Sequence, residues 1–415
     1  MNSRDELSSE MWVEDLRAFF PCFAAPEWQG VHYLDSAATT QKPAQVIDAV
    51  RRSMECGTAP VHRGLYPLAE QATLAYESAR STLASFVGAR SAKEIVFCAS
   101  ATQAIDLVAT GWVAPRIEAG DEICVTRMEH HSNLLPWQRL FRTHGARLRF
   151  IEIGDDGRLD LASARSCINS RTCLVALCHV SNVLGTVNPV SELAAIAHEE
   201  GAHVLLDAAQ SVAHLPIDVQ RLGCDFLVFS GHKMYGPAGV GVLWGRRALL
   251  EDMEPALLGG GIVISVTEQS AQWRDAPYRF EAGSPNLGGA VGLEAAARML
   301  SALPEAASYR RLRELSDYML ERLRRLPELT LYGCADPTER LGIVSFQLAD
   351  LHPHDVAAAL GDLRVCVRAG NHCCQLLHER LGAPGSVRAS LGIYSTRDDV
   401  AALISALDYA RRQMQ

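Results

Sequence analysis

The 415-residue chain is nearly devoid of lysine: Lys42, Lys93 and Lys233 are all it has, leaving 36 arginines among its 39 basic side chains. Chemistry that needs a side-chain amine therefore has three candidates. Nowhere does an apolar run reach the roughly 18 residues of a membrane-spanning helix. The opening residues MNSRDELSSEMWVEDL are acidic and polar, where a secretory signal is basic and then apolar. A cytoplasmic protein with no membrane partner is expected. Positive charge is also in deficit: 48 acidic against 39 basic residues give a net charge of −9, which argues against a nucleic-acid partner spread over the surface. Twelve cysteines contain no C-x-x-C pair, so a structural zinc site has little support and no metal is expected. They are too dilute for a disulfide scaffold, and several lie in apolar runs such as EIVFC and TCLVALC, as reduced core thiols do.

With 48% hydrophobic residues the chain can bury one large core or two smaller ones. In MWVEDLRAFFPCF (11–23), Trp12, Leu16, Phe19 and Phe20 share one helical face, which reads as a docking helix. From about 45 to 300, helix-period segments alternate with short runs: EIVFC, DEICVT, RLRFIEI, TCLVALCHV, HVLLD and DFLVFS. Strands apolar on both faces and separated by helices signal an α/β fold with a mostly parallel sheet. Chemistry then belongs at the loops after the strands' carboxyl ends. Beyond 258 comes a hairpin-like stretch, ISVTEQSAQW, and helices follow at 286–303 and 305–326. The runs LTLYG, GIVSFQL, VCVRAG and VRASLGIY, mixed with helices at 354–361 and 397–414, read as a smaller α+β domain.

Segment 203–239 concentrates the chemistry. HVLLD delivers Asp207 at a strand end, and DFLVF delivers Ser230, His232 and Lys233 into a turn closed by Gly236 and Pro237. A lysine in such a cleft loses pKa by desolvation and becomes a usable Schiff-base former. Lys42 precedes Pro43 in a polar turn and Lys93 sits in a solvated connection, so Lys233 is the candidate. Pyridoxal phosphate needs a lysine for its aldehyde, a carboxylate for its ring nitrogen and donors for its phosphate. Asp207 suits the second role, while Ser230, His232 and Thr102, the last at a helix start, suit the third. Gln210 is placed to reach the ring's phenolic oxygen. Either His130 or His131, again past a strand end, can stack on a flat ring and carry protons. In VCVRAGNHCCQLLH, Cys373 lies in a polar loop that favours an exposed thiolate, whereas Cys374 reads as structural. Arg388 can grip a carboxylate. Together these suggest an amino-acid substrate attacked by sulfur.

These residues carry a family resemblance. The chain resembles the type II, SUF-type cysteine desulfurases of the class V aminotransferase-like group, fold type I of the pyridoxal phosphate enzymes. The motifs are YLDSAATTQKP (33–43), VHRG (61–64), MEHHSN (128–133), HVSNVLGTVNP (179–189), LLDAAQS (205–211), VFSGHKMYGPAGVG (228–241), RFEAGSPN (279–286), RAGNHCC (368–374) and RASLGIY (388–394). The resemblance implies a seven-stranded sheet in a large cofactor-binding domain at 30–299. An N-terminal helical segment at 1–29 would pack on a small domain at 300–415 that carries the cysteine loop. It implies pyridoxal 5'-phosphate as cofactor and conversion of L-cysteine to L-alanine with a persulfide on Cys373. That sulfur would pass to an acceptor of the SufE or SufU kind for iron-sulfur cluster assembly. It makes Lys233 the cofactor lysine and proton shuttle, and stacks His130 on the ring. Asp207 and Gln210 hold the pyridine, and Thr102, Ser230 and His232 hold the phosphate. Asn182, Arg388 and Arg368 bind substrate. His62, Arg63 and Ser284 would reach the neighbouring subunit's site in a homodimer.

Three positions depart from the pattern. Ala101-Thr102 stands for two threonines, losing a hydroxyl but keeping a backbone N–H for the phosphate. Asn371 stands for His or Gln, and Cys374 for Ala, a second thiol that could accept the persulfide. In LHPHD (351–355), a histidine could ligate the zinc of a SufU-type partner, or the segment could simply start a helix. The competing functions are a selenocysteine lyase, an aminotransferase or epimerase on the same fold, and a sulfur-assembly docking or cargo subunit with little catalysis.

Overall fold

The computed structural model describes residues 16–414. The helix expected at 11–23 begins outside the described residues, Trp12 included. From Leu16 one helical turn continues before a 3-10 turn at Pro21–Ala24. Leu16 and Phe20 are buried, but Phe19 is exposed because the chain leaves helical register there. The Phe20 ring meets Tyr394 edge-on at 4.8 Å and Tyr235 at 5.8 Å.

The main sheet comprises β1 (Ile95–Cys98), β2 (Glu122–Thr126), β3 (Arg147–Ile151), β4 (Thr172–Cys178), β5 (His203–Asp207), β6 (Phe226–Ser230) and β7 (Gly241–Gly245). Its order is β1-β7-β6-β5-β4-β2-β3. The β2–β3, β2–β4, β4–β5 and β5–β6 pairs are parallel, and β7 runs antiparallel to both its neighbours. Side chains alternate between two cores, as the two-faced apolar runs require. Val175, Leu177, Val204, Leu206, Leu227 and Phe229 enter one, and Leu174, Ala176, Leu205, Phe226 and Val228 the other. β7 is the strand no apolar run announces. A Cβ at Gly241 would lie 2.7 Å from the Ser100 Cα and 2.8 Å from the Phe229 carbonyl oxygen, so close backbone packing demands glycine there.

A second sheet, of order β8-β9-β11-β10, joins β8 (Leu329–Tyr332), β9 (Ile343–Leu348), β10 (Arg368–Gly370) and β11 (Ser386–Ser390), all antiparallel. The expected strand VCVRAG divides in two. Val365–Cys366 pairs parallel with His32–Tyr33, and only Arg368–Gly370 joins β11. Residues 32–36 are thereby stitched to the C-terminal sheet, through an Asp35–Ser390 bridge as well. The hairpin expected after 258 forms between Val263–Val266 and Ala271–Trp273. No helix among the described residues is long and apolar enough to cross a membrane.

A buried ion pair ties this frame together. Arg80, in the helix Pro67–Phe86, lies 2.6 Å from Glu281 Oε1 and donates to the Ile95 carbonyl at 2.8 Å. Glu281 also accepts the Phe97 N–H at 2.8 Å and the Tyr76 hydroxyl at 3.0 Å. Arg80→Met leaves that carboxylate buried without its cation, which costs about 3–5 kcal/mol. A lowered urea midpoint by tryptophan fluorescence is expected; an unchanged one would show that the pair contributes nothing.

Candidate active site

Four strand ends converge on one cleft. β5 ends in Asp207, β6 in Ser230 and β4 in Cys178, and the loop after β2 carries His130. After β1, Ser100 caps the helix Ala101–Val108 by accepting the Gln103 N–H, which sets Thr102 in its first turn. The resulting cavity, about 240 Å³, is lined by Ala37, Thr102, His130, Asn182, Asp207, Gln210, Ser230, His232, Lys233, Arg368, Cys373 and Arg388.

Lys233 makes no hydrogen bond or ion pair among the described residues. Burial lowers its pKa, against the pull of the Asp207 carboxylate and with a further push from Arg388. Asp207 is held by a single contact, its Oδ1 accepting the Ala209 N–H at 2.9 Å, and burial raises its pKa. An amine and a carboxylate face one cavity without pairing. A ring with a protonatable nitrogen and an aldehyde fits both. The same cavity offers the Ser230 hydroxyl, Thr102 Oγ1, which lies 2.7 Å from Ser132 Oγ, and His232. The Ala101 N–H expected to serve a phosphate is instead spent on Ser230 Oγ at 2.8 Å. Ala101 therefore orients the Ser230 hydroxyl, whose proton stays free for an anion. Gln210 uses one amide proton on the Ala37 carbonyl, at 2.9 Å, and keeps the other.

The structure separates the two histidines. His131 is tied to the cysteine loop: its N–H donates to the Cys373 carbonyl at 2.7 Å, and its Nε2 accepts the Gln375 N–H at 3.3 Å. His130 lines the cavity. Its Nδ1 accepts the Ser132 N–H at 3.1 Å, so the ring proton sits on Nε2. Burial, with Lys233, His131 and Arg388 nearby, lowers His130 to about 4, and the ring is neutral at pH 7. His232 is likewise lowered to about 4, mainly by burial.

Arg388, only 2% exposed, donates to the Asn182 carbonyl at 2.9 Å and to Asp35 at 3.3 Å, while its Nε has no partner. Arg368, half exposed, stands 3.8 Å from the same Asp35. Two guanidiniums sharing one carboxylate leave a net positive charge at the cavity, suited to a monocarboxylate. Asp35 escaped the sequence reasoning, although it sits in LDSAATT. Asn182 holds the cysteine loop with both ends of its amide: Nδ2 donates to the His372 carbonyl at 2.9 Å, and Oδ1 accepts Cys374 Sγ at 3.0 Å.

That loop is strained. His372 (φ 50°) and Cys373 (φ 57°) adopt the left-handed conformation that non-glycine residues avoid. The strain presents Cys373 to solvent and cavity while burying Cys374. Cys374 donates to Asn182, and burial pushes its thiol pKa up. This placement fits the structural reading of Cys374 better than a second sulfur acceptor, because its sulfur is a buried hydrogen-bond donor turned to Asn182.

Three expected site residues lie outside this cavity. His62 Nε2 is 3.1 Å from Glu77 Oε1, and its ring packs 5.3 Å from Tyr278. Arg63 is exposed. Ser284 lines a separate cavity of about 370 Å³ with Gln103 and Glu281. In LHPHD, His352 caps the helix Pro353–Asp362, its Nδ1 accepting the His354 N–H at 3.3 Å. The two exposed rings stack at 5.0 Å.

Comparison with known proteins fits this geometry. The family profile "Aminotransferase class-V" matches residues 32–403. The chain is 45% identical to a cysteine desulfurase of Pectobacterium atrosepticum, over 96% of this chain and 98% of that protein. It is 44% identical to a cysteine desulfurase of Escherichia coli K12, with the same coverage. The apo structure of a cysteine desulfurase from Thermococcus onnurineus NA1 superposes with a TM-score of 0.91 at 40% identity, covering 96% of this chain and 98% of that one. The Escherichia coli cysteine desulfurase CsdA, in an S-sulfonic acid form, gives 0.89 at 36% identity with the same coverage.

The burial contrast in the loop predicts a labelling pattern. Iodoacetamide on the native protein should alkylate Cys373 at least about tenfold faster than Cys374, because the thiolate is the reactive form and must be reached. Peptide mapping that finds equal labelling would contradict the loop geometry.

Proposed function

The chain belongs to the aminotransferase class-V family and, within it, to the cysteine desulfurases, and from that footing we propose that it converts L-cysteine to L-alanine and leaves the sulfur as a persulfide on Cys373. The carrying observation is that one cavity is lined by a desolvated lysine, an unpaired buried carboxylate, a buried arginine and a single exposed thiol. Pyridoxal 5'-phosphate, when bound, supplies the electron sink for the pair released as the Cα–H bond of an amino acid breaks. Lys233 would hold its aldehyde, Asp207 and Gln210 its ring, Thr102, Ser230 and His232 its phosphate, and His130 would stack on it.

This chain's own residues then perform the transfer. Arg388 and Arg368 bind the substrate carboxylate, and the net charge they keep after Asp35 suits one negative group. Lys233 Nζ, its pKa lowered by burial, takes the Cα proton and moves a proton to the substrate. Neutral His130 offers its Nε2–H to the site as a hydrogen-bond donor. The Cys373 thiolate attacks the substrate sulfur, the Cβ–S bond breaks with its electron pair left on carbon, and a proton completes the methyl group. Cys373–SH and L-cysteine thus become Cys373–S–SH and L-alanine, with every atom conserved and no outside oxidant.

The finer assignment is to the SUF type. The short, strained loop under Cys373 supports it, since the thiol is fixed at the cavity mouth rather than carried on a long arm. An acceptor protein of the SufE or SufU kind would take the sulfur for iron-sulfur cluster assembly in the cytoplasm. A homodimer is supported by His62, Arg63 and Ser284 lying off their own chain's cavity, and by the exposed Leu65, Leu257, Leu258, Ile264 and Val266.

Cys373→Ala should lower alanine formation from L-cysteine by about 10²-fold or more and remove the persulfide, while the bound cofactor keeps its visible absorbance. Alanine and persulfide, assayed after incubation with L-cysteine, measure this. Undiminished alanine formation in the variant would contradict the thiol route.

A further inference from the structure

The His232 carbonyl is unusually crowded. Its oxygen accepts the Thr40 N–H at 3.0 Å, Thr40 Oγ1 at 3.0 Å, Thr39 Oγ1 at 3.2 Å and Lys42 Nζ at 2.9 Å. A carbonyl has two lone pairs, and here four donors, one of them an ammonium, converge on it. This carbonyl belongs to the peptide bond whose nitrogen is that of Lys233. Lys42 Nζ also donates to the Thr40 carbonyl at 2.6 Å and lies 3.4 Å from Thr40 Oγ1, so one charge ties residues 39–42 to the turn after β6.

The same segment restrains the far side of that turn. Tyr235 adopts φ 68°, a conformation costly for an aromatic residue, and its N–H donates to Thr40 Oγ1 at 2.9 Å. Its hydroxyl accepts the Ile393 N–H at 2.9 Å. Lys233 is thus bracketed by two contacts to Thr40, one on the residue before it and one two residues after. A side chain that must swing between cofactor and substrate gains from a backbone that does not. Lys42 is half-buried, and burial brings it to about 8, so it keeps its charge at neutral pH. Sequence reasoning set it aside as a turn lysine.

We propose that Lys42 is a positioning residue for Lys233: its ammonium, with the hydroxyls of Thr39 and Thr40, locks the His232–Lys233 peptide so that the amine is offered to the cofactor from a fixed backbone. This rests on the reading of Lys233 as the cofactor lysine.

Amide hydrogen exchange of the cofactor-free full chain tests the lock without using activity. In Lys42→Met, exchange of the 231–236 segment, Tyr235 above all, should accelerate about tenfold or more, the scale of one charge-assisted hydrogen bond. Protection in β4 should stay unchanged. Lys93→Met, which removes an exposed charge, should alter neither. The apparent dissociation constant for added pyridoxal phosphate, read from the visible band, should rise about tenfold in Lys42→Met only. Should Lys42→Met fail to fold, Lys42→Gln, which keeps a neutral donor, is expected to show a smaller rise confined to the same segment. Exchange at 231–236 within twofold of wild type in the folded variants would overturn the proposal. A wild-type protein that forms no visible band would instead overturn the cofactor reading, while the exchange result still decides the lock.

Discussion

Everything in this molecule turns on an amine kept out of water. The Lys233 side chain, just past the end of a central strand, has no hydrogen-bond partner among the described residues, and it shares a small cavity with a carboxylate that has a single backbone contact. Proteins rarely leave such groups unpaired, because desolvated charge costs several kcal/mol unless something compensates. The sheet makes the arrangement possible. Its parallel strands aim their carboxyl ends at one edge, where the backbone must open into loops, and both faces are sealed by apolar side chains. The cavity that Lys233 and Asp207 line is thus a feature of the fold, and its charges suit a charged, planar ligand.

Two halves of the chain meet over that cavity, and their junction is polar and specific. The large sheet supplies the amine, the carboxylate and the neutral histidine. The small sheet supplies Arg388 and, through its connecting loop, the thiol. Asn182 links them, since its backbone oxygen receives Arg388 and its side chain grips both His372 and Cys374. Asp35, in the segment sewn to the C-terminal sheet, draws on both of that sheet's arginines and sets their charge at the cavity. Strain in the cysteine loop is sustained by these contacts and by the His131 N–H on the Cys373 carbonyl. Substrate charge recognition and nucleophile placement therefore share the same few hydrogen bonds.

Much of this was legible in the sequence because it depends on local pattern. Apolar runs of alternating partition marked six of the seven large-sheet strands, and polar residues at their ends marked Asp207, Ser230 and Lys233. What stayed hidden depends on contacts between distant segments. β7 opens on Gly241 for a packing reason visible only beside Ser100. VCVRAG reads as one strand until His32–Tyr33 claims half of it. The Ala101 N–H reads as a phosphate donor until the Ser230 hydroxyl oxygen, 129 residues away, claims it. Lys42 reads as a polar-turn lysine because two of its three oxygen partners belong to nearby Thr40 and the third lies 190 residues further along.

Reductive trapping addresses the buried amine most directly. The protein loaded with pyridoxal phosphate is treated with sodium borohydride, digested, and its three lysines are mapped by mass spectrometry. The pyridoxyl mass is expected on Lys233 alone, with Lys42 and Lys93 unmodified. A label on Lys42 or Lys93 in place of Lys233, or no label on any lysine, would contradict the assignment on which the site's chemistry stands.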